Sequence, residues 1–306
     1  MNVLSCFDGM SCTQIALRQL GYENINYYAS EVDKYAIKVT QANYPGTVQL
    51  GDITKIDPEK LPKIDLMVGG SPCQDLSFAG KGKGLIKGER SSLFFAFVDL
   101  LKAIKPKYFL VENVRMKKEY QDIMSDILGV QPIKVNSSLV SAQNRVRLYW
   151  TNILNIKQPT DRGIVLSDIL ENGFVDRDKA HCVDANYFKG GNLKSYFEKH
   201  RRQLVFSKDG LCHVGDADLK GIQSIKRVYH PAGKSPTLTT MGGGHREPKI
   251  LQKGHTYRKL MPRECERLQT VPDNYTAHVS NTQRYKMLGN GMTVEVIKHI
   301  LSNMEK

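Results

Sequence analysis

The residues best able to do chemistry in this 306-residue chain are Cys73 and Glu112, each placed at the end of an apolar run. Cys73 follows Gly69-Gly70-Ser71-Pro72, which closes the run Ile64-Asp65-Leu66-Met67-Val68. That order predicts a buried strand running into a tight turn, with proline stiffening the point where a nucleophile must be held. Glu112 comes directly after Tyr108-Phe109-Leu110-Val111 and leaves a second predicted strand in the same way. A thiolate adds to an electron-poor ring, and a neighbouring carboxylic acid activates that ring by protonating it as the bond forms. Cys73 as nucleophile and Glu112 as acid are therefore expected to share one crevice. An arbitrary cysteine is more often an inert core residue; the Ser71-Pro72 turn shifts the reading.

Arg145 and Arg147 flank Val146 on a predicted strand, so period-two alternation sends both guanidinium groups to one face. They could grip a base carbonyl, a phosphate or Glu112 itself, a solvated strand face being the alternative. Gly80-Lys81-Gly82-Lys83-Gly84 reads as a basic lid or as an ordinary exposed loop. Three other chemistries fail on spacing. Phe7-Asp8-Gly9-Met10-Ser11 lacks the glycine pattern of a dinucleotide turn, although Glu31 could still hold a ribose. Gly233-Lys234-Ser235 has Val228 where a phosphate-cradling loop needs its leading glycine, and Pro72-Cys73 is followed by Leu76 instead of the second cysteine of a zinc deaminase.

These residues need a frame, and the first half of the chain supplies one. Apolar runs predict strands at 3–7, 25–29, 47–50, 65–68, 108–111, 133–140 and 147–152, and helical spacing predicts helices at 13–20, 34–43, 93–104 and 119–128. The alternation predicts an α/β fold with a doubly wound sheet. Ligands of such sheets gather beyond the carboxyl ends of the strands. Asp8, Glu31, Asp52, Cys73 and Glu112 each fall just after one of five predicted strands. A lone polar residue there is usually a turn former or helix cap, but five in register point to a site. From about residue 155 the rhythm breaks into loop-rich, basic segments with interleaved aromatics such as Tyr187, Phe188, Tyr196 and Phe197, and helical periodicity returns across 285–301. The expected division is a larger domain of residues 1–160 with 280–306 and a smaller one of 161–279.

Lys and Arg outnumber Asp and Glu by 44 to 31, a formal charge of +13, which suits a polyanionic partner, nucleic acid first. The six cysteines (6, 12, 73, 182, 212 and 265) are scattered without metal-finger spacing, and neither a leader nor a long apolar span is visible. The expectation is a reduced, cytoplasmic protein with no structural metal and no membrane segment.

Taken together and in order, the motifs resemble those of the DNA (cytosine-5) methyltransferases of bacteria and phages. Phe7-Asp8-Gly9 is similar to the first motif of that family; Pro72-Cys73-Gln74 with Ser77 and Gly80 to its nucleophile loop; Arg90 with Leu93-Phe94-Phe95 to the helix after it. Glu112-Asn113-Val114 resembles the acid motif and Gln143-Asn144-Arg145-Val146-Arg147 the Gln-x-Arg-x-Arg motif. Arg258-Lys259-Leu260 with Pro262 to Gln269 resembles the ninth motif, and Gly289-Asn290 the last. Pro236-Thr237-Leu238-Thr239 is similar to the end of the target-recognition region. Ser11 stands where the first motif has its second glycine, and Gly70-Ser71 where many bacterial members have Gly-Phe.

The resemblance implies a Rossmann-like, S-adenosylmethionine-dependent methyltransferase domain with a loop-rich target-recognition domain. It implies a cytosine flipped out of double-stranded DNA, Cys73 added to carbon-6, Glu112 at nitrogen-3, and Arg147, supported by Arg145, on the base carbonyl and the acid. Phe7, Asp8, Gly9, Val32 and Pro72 would line the cofactor, Glu31 would hold its ribose, Asp52 and Ile53 would meet its adenine, and Asn290 would close the site. A cognate restriction endonuclease is a candidate partner, and the nucleoid of a bacterial or phage-infected cell the expected place. Two competing readings are an RNA (tRNA) cytosine-5 methyltransferase, for which the basic lobe is equally suited, and a non-catalytic DNA-binding regulator, against which Cys73, Glu112 and Arg147 speak.

Overall fold

The structure, a computed structural model, describes residues 1–71, 92–207, 213–216, 227–229, 249–250 and 256–305. Strands β1 (Asn2–Cys6), β2 (Asn26–Ser30), β3 (Val48–Gln49), β4 (Leu66–Gly69), β5 (Tyr108–Val114), β6 (Ile133–Asn136) and β7 (Val146–Thr151) form one sheet in the order β3-β2-β1-β4-β5-β7-β6. Strand β7 runs antiparallel to both β5 and β6, while the remaining pairings are parallel. The helices are α1 (Cys12–Gln19), α2 (Lys34–Asn43), α3 (Ser92–Ile104), α4 (Lys118–Leu128), α5 (Leu193–Lys199), α6 (Pro262–Leu268), α7 (Asn281–Asn290) and α8 (Val294–Leu301). None among the described residues is long and apolar enough to cross a membrane.

Period-two alternation sorts the strand residues between two apolar layers. Val3, Leu66, Val68, Leu110 and Tyr149 join Ile15 of α1, Val39 of α2 and Ile297 of α8 on one face. Leu4, Met67, Phe109, Val111, Leu148 and Trp150 join Phe94 and Phe97 of α3 and Met124 of α4 on the other. Strands covered on both faces read as continuous apolar runs, which is why β1, β4 and β5 were legible in the sequence. The fold is the expected α/β doubly wound sheet.

Two predicted elements differ. The strand expected at 108–111 continues to Val114, so Glu112 lies within β5 rather than beyond it. The reason is non-local: the ladder with β7 pairs Glu112 with Tyr149 and Val114 with Arg147, and so keeps the backbone extended past the acid. The strand expected at 133–140 stops at Asn136, whose side chain accepts from Ser138 N (3.1 Å) and caps a short 3-10 turn, Ser137–Leu139.

Later in the chain, β8 (Leu204–Ser207), β9 (His213–Asp216), β10 (Arg227–Tyr229), β11 (Lys249–Ile250) and β12 (Thr256–Lys259) form a three-stranded sheet, β11-β10-β9, and a two-stranded one, β12-β8. Leu166, Val183, Tyr187, Cys265 and Leu268 pack into the same apolar layer as α1 and α8.

Candidate active site

The turn after β1 opens the site, and its backbone is strained. Phe7 (φ 57°), Gly9 (φ 59°) and Ser11 (φ 62°) all adopt left-handed conformations, which non-glycine residues rarely do. Ser11 offsets that cost with its hydroxyl. The hydroxyl donates to Asp8 Oδ2 and lies 3.0 Å from Thr40 Oγ1. Asp8 also accepts from Tyr27 OH (2.7 Å), so its carboxylate faces inward and organises the turn. Burial pushes the Asp8 carboxyl up to about 6, against the pull of the hydroxyls of Ser11, Ser5 and Tyr27.

Glu31, just past β2, ties this turn to the next. Its Oε2 accepts from Gly9 N (2.7 Å) and its Oε1 from Val32 N and Asp33 N (2.8 Å each). Val32 is 72% exposed. Asp52 follows β3 and accepts from both the backbone N–H and the hydroxyl of Thr54 (3.0 and 2.9 Å), capping the turn that carries the buried Ile53. These residues line one cavity of about 760 Å³, together with Ser71, Glu112, Arg147 and Asn290.

At the other end of the cavity stand the acid and the guanidinium groups. Glu112 is 9% exposed, and Arg147, reached across the β5–β7 ladder, places its Nε 3.0 Å from Glu112 Oε1. Of the partners open to Arg147 on sequence grounds, the fold brings the acid within ion-pair distance. Burial works against the Arg147 charge, but Glu112, Cys182 and Tyr149 together outweigh it and hold the guanidinium above its ordinary value. Gly70 makes room beside the acid, since a Cβ there would sit 3.3 Å from Glu112 Oε2.

Arg145 is 3% exposed and donates to three backbone carbonyls and a sulfur: Nη1 to Val183 O (3.2 Å) and Cys182 Sγ (3.3 Å), Nη2 to Gly289 O (3.2 Å) and Gly291 O (2.8 Å). It therefore clamps the end of α7 to the 182–185 segment. Gly289 is the reason that segment can come so close, because a Cβ there would lie 2.3 Å from Ala185 N and from Asp184 C. Three motifs that are far apart in sequence meet behind this clamp. Gln143 Nε2 donates to Leu268 O (2.6 Å) and Gln269 Oε1 (3.0 Å), and Gln269 Nε2 donates to Leu288 O (2.6 Å). Such buried amides persist only when paired. The motif around α6 is likewise architectural: Arg258 makes a bidentate pair with the wholly buried Glu264 (2.7 and 2.8 Å).

The structure thus brings Phe7, Asp8, Gly9, Glu31, Val32, Asp52, Ile53, Glu112, Arg145, Arg147 and Asn290 to one cavity. Pro72, Cys73, the Gly80–Gly84 stretch, Arg90 and Pro236 to Thr239 lie outside the described residues. Sequence reasoning missed Cys182 and Lys286, which also line the cavity. Lys286 Nζ reaches Asp33 Oδ2 (2.7 Å) across its rim. Neither sits in a motif with a mechanism attached, so no local signal marked them.

Comparison with known proteins identifies the family. The sequence model of the C-5 cytosine-specific DNA methylase family matches residues 1–129 and 136–306. The chain is 32% identical to the orphan methyltransferase M.Rho11sI of Bacillus phage rho11s, covering 82% of this chain and 69% of the relative. It is 28% identical to the type II methyltransferase M.HhaI of Haemophilus parahaemolyticus, covering 99% and 94%. Among solved structures, the Entamoeba histolytica methyltransferase EhMeth superposes with a TM-score of 0.70 at 15% identity, covering 99% of this chain and 97% of that one. A putative DNA modification methyltransferase encoded within an E. coli prophage superposes at 0.57 and 21% identity, covering 99% and 98%. At those identities the structural likeness speaks for the fold alone.

Proposed function

Because the chain belongs to the C-5 cytosine-specific DNA methylase family, we propose that this enzyme flips a cytosine out of duplex DNA and methylates its carbon-5, using Cys73, Glu112 and Arg147. The observation that carries the reading is the buried Glu112–Arg147 pair opening on the same cavity as Glu31. A carboxyl group held against a guanidinium suits the nitrogen-3 and carbonyl edge of a pyrimidine.

The cavity fits S-adenosylmethionine, whose sulfonium supplies an electrophilic methyl group. A volume of about 760 Å³ is within the range of sites for molecules of that size. Glu31, its oxygens already oriented by three backbone N–H groups, has lone pairs left for a pair of ribose hydroxyls. The exposed Val32 and the neighbouring Ile53 offer apolar contact to a flat ring. A Cβ at Gly9 would meet nothing within 4 Å, so the turn after β1 leaves open space for a ligand to approach its backbone.

In the proposed sequence the Cys73 sulfur bonds to carbon-6 and the carbon-5–carbon-6 π electrons shift onto carbon-5. Glu112 donates a proton or hydrogen bond to nitrogen-3 and so receives the charge that would otherwise build up on the ring. Arg147 holds Glu112 and the base carbonyl. Carbon-5 would take the methyl group as its bond to the sulfonium breaks and a thioether departs; a base then removes the carbon-5 proton, the Cys73 sulfur leaves as thiolate to restore the double bond, and nitrogen-3 returns its proton to Glu112. Residues 161–279 are proposed to read the DNA target, their basic surface meeting phosphate.

The test uses duplex DNA carrying 5-fluorocytosine. Fluorine cannot leave as the proton does, so the enzyme should be trapped as a covalent adduct that survives denaturing electrophoresis. Cys73→Ala should abolish it. A robust adduct in that variant would reject the assignment, and methyl transfer to tRNA but not to duplex DNA would move the substrate to RNA.

A further inference from the structure

Arg145 is a buried guanidinium with no carboxylate within ion-pair range among the described residues. Its Nε has no hydrogen-bond partner, and its other donors face backbone carbonyls and one ionisable atom, the sulfur of Cys182, 3.3 Å from Nη1. The same sulfur lies 3.9 Å from Arg147 Nη2. Among the described residues Glu112 pairs with Arg147 and not with Arg145, and its Oε1 faces Arg147 without an aligned hydrogen bond. Buried charge without a counter-charge is strongly disfavoured.

We propose that Cys182 serves as a thiolate counter-ion to Arg145 and Arg147, a positioning residue that fixes the Arg147 guanidinium against Glu112 for the proposed reaction. The proposal rests on the reading of Glu112 and Arg147 given above. Anchored to Glu112 through Nε and to the sulfur through Nη2, the guanidinium plane has one orientation. A neutral thiol would instead turn its S–H toward Val183 O, 3.6 Å away, and hold the two cations less firmly.

The electrostatics run the same way. Burial raises the Cys182 thiol, but the two arginines outweigh it and bring it below its ordinary value. The described cysteines Cys6, Cys12 and Cys265 are all pushed up by burial. The charged groups acting on Cys182 are Arg145, just before β7, and Arg147 of β7, while Glu112 of β5 and Cys12 of α1 line the same cavity. On its own segment, His181 is engaged by Arg177 (2.6 Å), and Asp184 by Arg201 (3.1 Å) and Arg202 (3.7 Å).

Two measurements on the full chain test this. In the first, iodoacetamide alkylation is followed against pH with peptide mapping, which reads Cys182 separately from Cys73 and needs no turnover. The half-point at Cys182 should lie below that of the same peptide in the urea-unfolded chain; a half-point at or above it, or no reaction at all, overturns the proposal. In the second, Cys182→Ala should lower kcat roughly tenfold or more, as loss of a preorganised charge does. Cys182→Asp should recover most of that loss, while the uncharged Cys182→Ser should not. Full recovery by serine would reduce the residue to packing and overturn the counter-ion role. Loss of methyl transfer in the unaltered enzyme would instead strike at the proposed function and leave the alkylation result standing.

Discussion

Gly289→Ala is a one-methyl change whose consequences can be worked through. Alanine is favoured over glycine inside a helix by up to about 1 kcal/mol, and Gly289 lies in α7, so local propensity argues for a gain. Packing argues the other way. The new Cβ would lie 2.3 Å from Ala185 N, 2.3 Å from Asp184 C and 2.5 Å from Asp184 O. That is more than roughly 1 Å short of ordinary contact. All three atoms are backbone, so no rotamer change relieves the clash; α7 or the 184–185 segment must move. Overpacking of this kind costs about 1–3 kcal/mol or more, and the absence of any yielding side chain places this case at the top of that range. The net loss should be about 2 kcal/mol, a fall of roughly 3 °C in Tm for a chain of this size. Arg145 bridges the two parts that must separate, through Gly289 O and Val183 O. A displacement near 1 Å next to reacting groups costs on the order of a hundredfold in rate. Differential scanning calorimetry and a labelled-methyl transfer assay would read both effects. Gly46→Ala, where a Cβ meets nothing within 4 Å, should change neither. A Gly289→Ala protein with unaltered Tm and full turnover would refute the claim that this close approach holds the arginine clamp in place.

Three further outcomes are expected. Glu112→Gln should keep DNA affinity in a filter-binding assay yet slow methylation by about 10²–10⁴-fold, because an amide cannot protonate the ring; undiminished turnover would remove Glu112 from the chemistry. The Asp8 carboxyl titrates higher in the fold than in the unfolded chain, so the stability it contributes is complete below about pH 4 and is lost as pH rises through about 6. Urea titrations should therefore show Asp8→Asn gaining on the unaltered protein by up to about 3 kcal/mol between pH 4 and 7.5. His181, held down to about 4 by burial and by Arg177 and His200, slopes the opposite way and cancels in that comparison; a difference independent of pH would refute the Asp8 assignment. DNA affinity should fall linearly on a log–log salt plot by about 0.9 per phosphate contacted, and a flat plot would deny the basic surface its role.

The sequence by itself determined which segments are strands and helices in the first half, and which side chains follow β1, β2 and β3. Both depend on neighbours a few residues apart: Val3 and Leu4 divide between two apolar layers because alternation along one strand does so. Asp8, Glu31 and Asp52 were legible for the same reason, each sitting in the turn after its strand. Their partners were not. That Asp8 turns inward to Tyr27 and Ser11, and that Glu31 grips Gly9 N, follows from two turns brought side by side by the sheet. Tertiary structure alone decided that Arg147 meets Glu112, because the antiparallel register of β5 and β7 sets which residues oppose each other and no periodicity encodes a register between distant strands. It alone placed Cys182 between two arginines and joined Gln143 to Gln269 and Leu288. A side chain's type states what it can donate, accept or carry as charge; which group satisfies it is settled only when chain segments far apart are packed into the same dry space.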